Sequence, residues 1–197
     1  YECGQDGILK AFAAGGVDGG TFLTKWGDRV AQDLAQFHSP VSDLFPQPAS
    51  VAEWQALEIN SGQVEQFNRN GFLPGIRLLN ERQIEALRAE LADLVQTGHD
   101  GAELWYEYHS NESGDPNAVL FHALGAWRIK PGLHDILWNP ALLAPAAQLL
   151  GGPVRFWHDQ LFCKPAQDGG VVAWHQDYSY WTRTKPMAHL TCWIGLD

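Results

Sequence analysis

The stretch Val154-Arg155-Phe156-Trp157-His158-Asp159-Gln160-Leu161-Phe162-Cys163-Lys164, closed by Pro165, is where the chain changes its period. Before it, apolar residues recur at helical spacing; within it the alternation is two, and aromatic residues are frequent, as in a strand. His158, Gln160, Phe162 and Lys164 fall on one face, and Trp157, Leu161 and Cys163 on the other, with Asp159 as an exception. A strand that keeps Gln and Lys on one side and apolar groups on the other has two readings. The polar face meets bulk solvent, or it lines a polar cavity in which Lys164 neutralises an anionic ligand.

Downstream, Gln167-Asp168-Gly169-Gly170 reads as a turn, 171–177 as a second strand and 189–196 as a third. Residues 103–108 and 119–124 are expected as earlier strands. Upstream lie the helices. Ser61 is expected to cap one that carries Val64 and Phe67 and ends at Gly71. Asn80, with Gln83 three residues on, opens a longer one whose Ile84, Leu87, Leu91, Leu94 and Val95 share a stripe, closed by Gly98. Asn139 and Pro140 open a third, ended by Gly151-Gly152, in which Pro145 predicts a kink or a short first turn. Residues 1–60 carry little signal: Asp28 as cap of a short helix with Val30, Leu34 and Phe37, then a linker over 39–50 broken by Pro40, Pro46 and Pro48. The order is helices first and then an antiparallel β core, an α+β arrangement of sandwich or barrel type.

Composition narrows the function. Thirteen Lys and Arg stand against 23 Asp and Glu, a formal charge of −10. That balance argues against nucleic acid and anionic membrane as partners. No apolar run is long enough to span a bilayer. Cys3, Cys163 and Cys192 lie far apart with no CxxC, which disfavours a disulfide scaffold or a structural zinc site. The chain opens at Tyr1 and stops at Asp197 directly after an apolar run, so it is expected to be a piece of a longer protein, interrupted within its β core.

The chemistry is concentrated in Trp174-His175-Gln176-Asp177. On a strand, i and i+2 point the same way, so His175 and Asp177 can aim an imidazole and a carboxylate at one point. Two His and one carboxylate on one face of an octahedron form the facial triad of non-haem Fe(II) oxygenases. Alone, the pair is weak evidence, because any two residue types recur at this spacing and a strand His is more often a hydrogen-bonded packing residue. His189, 12 residues after Asp177 at the start of the next strand, is open as a third ligand but reads first as structural or substrate-facing. His158 reads as a cavity wall before a ligand. His38, His99, His109, His122 and His134 show no partner pattern and read as surface or packing residues. Trp174 reads as core, and Tyr178, Tyr180 and Trp181 as a wall for a substrate.

Taken together, Leu161-Phe162-Cys163-Lys164-Pro165, Gly169-Gly170, Trp174-His175-Gln176-Asp177-Tyr178, Trp181 and His189-Leu190-Thr191-Cys192-Trp193-Ile194-Gly195-Leu196-Asp197 resemble the phytanoyl-CoA dioxygenase family of Fe(II)/2-oxoglutarate-dependent oxygenases. Upstream, Val64-Glu65-Gln66-Phe67-Asn68-Arg69-Asn70-Gly71-Phe72-Leu73 and the helices over 80–98 and 139–151 resemble the same family. The resemblance covers 61–197 and leaves 1–60 unassigned. It implies a double-stranded β-helix, the jelly-roll or cupin-like core, preceded by N-terminal helices. It implies that His175 and Asp177 bind Fe(II) and that Gln160, Lys164, Gln176 and Trp193 line the 2-oxoglutarate pocket. It places the second His ligand, and the Arg that grips the distal carboxylate of 2-oxoglutarate, downstream of Asp197.

The activity so implied is hydroxylation of an unactivated C–H in a small molecule, with O₂ consumed, 2-oxoglutarate decarboxylated to succinate, and ascorbate as a stimulant. Halogenases on the same fold omit the acid to seat a halide, so Asp177 favours hydroxylation. The fragment alone is expected to be inactive, the compartment is expected to be the cytoplasm, and the oligomeric state is not legible. The alternative is a non-catalytic jelly-roll binding module with a vestigial metal site.

Overall fold

The computed structural model describes residues 31–96, 98–167, 169–179, 181 and 188–196, with the side chain of Tyr178 excepted. Five α-helices are described: α1 Val51–Gln55, α2 Ser61–Asn70, α3 Glu81–Leu94, α4 Pro131–Asp135 and α5 Pro140–Leu150. Three strands are described: β1 Glu107–His109, β2 Phe121–Leu124 and β3 Leu161–Cys163. The fold is therefore mixed helix and strand. No described helix is long and apolar enough to cross a membrane. The described residues divide into two compact units, 31–38 with 89–134 and 158–172, and 39–88 with 135–157 and 173–196.

The first unit is built on an antiparallel sheet in the order β1-β2-β3. Residues directly opposite each other share a face. Tyr108, Ala123 and Leu161 form one row, and His109, His122 and Phe162 the next. The face that carries Ala123, Phe121, Leu161 and Cys163 packs on Leu91, Leu94, Val95 and Trp105, so the apolar stripe of α3 finds its flat partner there. The alternation read from 154–164 assigns Gln160 and Lys164, two residues either side of Phe162, to the opposite face.

Asp159, the exception in that alternation, is explained by its contacts. Its carboxylate accepts from the backbone N–H of Gly125 (2.8 Å) and Trp127 (3.0 Å), satisfying the short 3₁₀ turn Ala126–Arg128. Burial pushes the Asp159 carboxyl up, and those N–H groups pull against the shift. Glu90 plays a like part for α4, accepting from Gly132 (2.7 Å) and Leu133 (3.0 Å). Arg128 pairs with Asp33 through Nε (3.1 Å) and Nη2, donates from Nη1 to the carbonyl of Leu104 (2.8 Å), and lies 4.6 Å over the Tyr106 ring.

In the second unit, α2 and the start of α3 open with the same device. Asn60 and Gln63 exchange bonds of 3.0 Å each, and Asn80 and Gln83 bonds of 2.9 and 3.0 Å. The cap of α2 is therefore Asn60 rather than Ser61. Three residues after Asn60 stands Gln63, which can return the bond; three after Ser61 stands Val64, which cannot. Gly71 ends α2 at φ +78°, a left-handed conformation that suits glycine. Helix α5 is capped by Asn139, with Pro140 in its first turn, and runs unbroken across Pro145. Pro145, past the first turn, has no N–H to give the carbonyl of Ala141, and the helix continues at the loss of that one bond.

Residues 39–50, read as a linker, carry no regular element, yet they are tied down. Buried Asp135 accepts from Val41 N (2.8 Å), Ser42 N (2.7 Å) and Ser42 Oγ (2.6 Å), and Phe45 is buried. Gln83 Nε2 donates to the carbonyl of Leu44 at 2.9 Å. The expected helix after Asp28 falls partly outside the described residues; within them a 3₁₀ turn, Leu34–Gln36, is capped by Asp33.

The strands differ most from expectation. Residues 103–108 give a 3₁₀ turn at Ala102–Leu104 before the later β1, and only Leu161–Cys163 of 154–164 is laddered. Neither 171–177 nor 189–196 joins a ladder among the described residues. An extended segment has no hydrogen bonds of its own, so alternation predicts extension while a neighbour decides whether a strand forms.

Candidate metal centre

His175 and Asp177 both lie in the second unit. The chain carries no regular element over 171–176, then enters a 3₁₀ turn at Asp177–Ser179. Ser179 closes that turn, donating to the carbonyl of Gln176 from its N (3.1 Å) and its Oγ (2.7 Å). The juxtaposition expected of a strand is thus reached without one, where an irregular segment enters a turn. His175 Nε2 stands 3.2 Å from Asp177 Oδ1, with both side chains partly exposed.

The atoms behind these two are held as well. His175 Nδ1 lies 2.7 Å from the carbonyl of Ala173, which can only accept. A proton is assigned to Nδ1 on that basis, and Nε2 is the ring nitrogen turned toward Asp177. On the other side, Thr191 Oγ1 donates to Asp177 Oδ2 at 3.1 Å, leaving Oδ1 free to face the imidazole. With the ring neutral, the Nε2 lone pair and Oδ1 offer a cation two donors; with the ring protonated, the same contact is an ion pair. Two cis ligands of an octahedral first-row metal, each at about 2.1 Å, stand about 3.0 Å apart, so the observed separation fits one ion. Donors of mixed N and O type, each oriented from behind, are the usual make-up of such a site.

Among the described residues no third His, Cys, Asp or Glu joins the pair to form a metal-holding group. His189 sits between the rings of Trp181 (5.4 Å) and Trp157 (6.2 Å). His158 Nδ1 lies 3.2 Å from the carbonyl of Asp159. The other histidines have structural surroundings. His99 accepts from Trp105 Nε1 (3.1 Å), His134 is fully buried, and His122 stacks on Phe162 at 4.5 Å with Glu112 at 2.8 Å. His109 pairs with Glu107 at 2.7 Å, and His38 is exposed.

The four residues expected around 2-oxoglutarate divide between the units. Gln160 and Lys164 flank β3 in the first unit and are exposed. Gln176 and Trp193 lie in the second and are exposed, as is Trp174, contrary to its reading as core. The proposed substrate wall falls largely outside the described residues: Tyr180 and the side chain of Tyr178 are not among them, while Trp181 is. Sequence reasoning missed Thr191 and the carbonyl of Ala173. A threonine two residues after His189 carries no signal by type, and a backbone acceptor leaves none at all.

A family model described as phytanoyl-CoA dioxygenase matches residues 67–197. Curated relatives include an L-proline trans-4-hydroxylase of Streptomyces griseoviridis, 28% identical over 122 residues, which cover 58% of this chain and 40% of that protein. Ectoine dioxygenases of Bordetella parapertussis and Bordetella bronchiseptica are each 29% identical over 127 residues, covering 62% of this chain and 38% of theirs. The chain thus spans about 40% of the length of the curated relatives it matches. A model match from Phe67 to Asp197, which takes in α3, β3 and the His175–Asp177 pair, places the chain in the phytanoyl-CoA dioxygenase family.

Proposed function

We propose that the complete protein is an Fe(II)/2-oxoglutarate-dependent dioxygenase that hydroxylates an unactivated C–H of a small molecule. One observation carries this: His175 Nε2 and Asp177 Oδ1 face each other at 3.2 Å, each oriented by a partner behind it. The dioxygenase and hydroxylase relatives support the reaction type, and the proline and ectoine in their names support a small-molecule substrate.

His175 and Asp177 would hold Fe(II) through Nε2 and Oδ1. Iron with 2-oxoglutarate and O₂ would supply the oxidising power for C–H hydroxylation, 2-oxoglutarate leaving as succinate and CO₂. With Asp177 as a carboxylate ligand no place would be left for a halide, which favours hydroxylation over halogenation. The Ala173 carbonyl keeps the imidazole in the ligating tautomer, and Thr191 keeps one carboxylate oxygen turned away. Lys164 would meet a carboxylate of 2-oxoglutarate with its ammonium group, and Gln160, Gln176 and Trp193 would complete the cosubstrate's surroundings. Further sequence would supply a third ligand, the Arg for the distal carboxylate, and the strands that complete a jelly-roll. Ascorbate would keep the metal reduced.

The test is succinate release coupled to O₂ uptake in the complete protein supplied with Fe(II), 2-oxoglutarate and candidate substrates. Both activities should vanish with His175→Ala. Turnover that survives this substitution would overturn the iron assignment; a folded wild-type protein that neither binds Fe(II) nor consumes 2-oxoglutarate would favour a binding module.

A further inference from the structure

Gly169 reads in the sequence as half of a Gly-Gly turn, but its conformation is not the left-handed one that calls for glycine. Space calls for it instead. A methyl group at Gly169 would stand 2.9 Å from Lys164 Cβ, 3.1 Å from Cδ and 3.4 Å from Cγ, so its three nearest neighbours all belong to one side chain. The aliphatic stem of Lys164 therefore lies against the bare Cα of Gly169. Gly169 is itself fixed: it bridges in parallel to Val119, and the next N–H, from Gly170, donates to the carbonyl of Val119 at 3.0 Å. Gly170 has no room for a side chain either, since a methyl there would stand 2.7 Å from the carbonyl oxygen of Ala118. The Gly-Gly pair is thus a platform, clamped to the approach of β2, on which the lysine stem rests. The residue as a whole is exposed, so its stem is seated while its charged end stays accessible.

We propose that Gly169 is a positioning residue for Lys164: its bare Cα seats the lysine stem and so fixes where the ammonium group meets a carboxylate of 2-oxoglutarate. The inference rests on the assignment of Lys164 to the cosubstrate made above. A free lysine side chain gives up much rotamer freedom when it binds an anion; one already seated gives up less, and binds more tightly for the same contact.

Equilibrium binding of 2-oxoglutarate to the complete protein, with Fe(II) present and O₂ excluded, separates the two claims. Lys164→Met, which keeps the stem and removes the charge, should weaken binding about tenfold or more. Gly169→Ala should weaken it roughly three- to tenfold, and should add nothing in the Lys164→Met background. Unchanged binding in Gly169→Ala, with Lys164→Met weakened, overturns the inference and leaves the assignment of Lys164 standing. Unchanged binding in Lys164→Met overturns both. Thermal unfolding tests the seat independently, including the case in which Gly169→Ala folds poorly. Lys164→Gly clears the space, so the double variant Lys164→Gly/Gly169→Ala should recover the melting temperature that Gly169→Ala loses. No recovery means that the lysine is not what fills the space.

Discussion

Thr191 shows how much of the metal centre depends on a residue with no chemistry of its own. Its hydroxyl holds Asp177 Oδ2 at 3.1 Å, which decides which oxygen faces His175. Thr191→Val keeps the shape and removes the donor. Such partners of metal ligands are commonly worth about 10–100-fold in affinity. Fe(II) affinity of the complete protein should therefore fall by at least about tenfold with far-ultraviolet dichroism unchanged; an unaltered affinity would show that the contact does not orient the ligand. Asp33 makes a second prediction at this scale. The hydrogen bond from Arg128 holds its carboxyl below the ordinary aspartate range. A group whose pKa is lowered by folding stabilises the fold above its unfolded value, and that stabilisation is lost as pH falls through the folded one. Between pH 7 and about pH 3 the urea midpoint of the wild type should therefore drop further than that of Asp33→Asn. Equal drops would mean that the pair contributes nothing. Asp177 and His175 could be picked out by type and spacing, and their juxtaposition survives although the expected strand is absent. Thr191 and the Ala173 carbonyl could not be, because an orienting partner need only be near, and nearness across 14 residues leaves no local pattern.

At the scale of elements, the three longer helices were legible, their starts nearly to the residue, while the short α1 and α4 were not. Of the expected strands, 119–124 holds β2, 154–164 holds the short β3 and 103–108 holds part of β1, while 171–177 and 189–196 hold none among the described residues. A helix keeps its hydrogen bonds and caps within the segment, so Asn80 with Gln83 and Asn139 with Pro140 marked their starts from sequence. The misplaced cap at Ser61 is a one-residue error of the same local kind. A strand's bonds lie in another segment, so 171–177 and 189–196 could show alternation without a ladder. The first helix stripe is also the more testable element. Gln83 returns the cap bond to Asn80 and donates to the carbonyl of Leu44, so Gln83→Ala removes a cap and a buried tie together. It should destabilise by about 1–3 kcal/mol, against about 1 kcal/mol for Asn80→Ala. Urea unfolding of the two variants checks the order; a reversal would show that the Leu44 contact contributes little. Leu87, with no exposed surface, should cost about 2–5 kcal/mol as Leu87→Ala.

At the scale of the molecule, the α+β class and the order of elements were legible, since helical periodicity precedes alternation along the chain. A jelly-roll could be anticipated only through resemblance. The described sheet has three strands, and closing a β core needs partners that sequence pattern cannot name. The described residues bring together one histidine and one carboxylate, two of the three groups that a facial triad needs. The central claim is that His175 and Asp177 hold the iron of a 2-oxoglutarate-dependent hydroxylase. Its most direct test is 2-oxoglutarate-dependent O₂ uptake by the Fe(II)-loaded complete protein, wild type against Asp177→Ala. The account predicts uptake with matching succinate in the wild type and none in the variant. Equal uptake in the two proteins would contradict it.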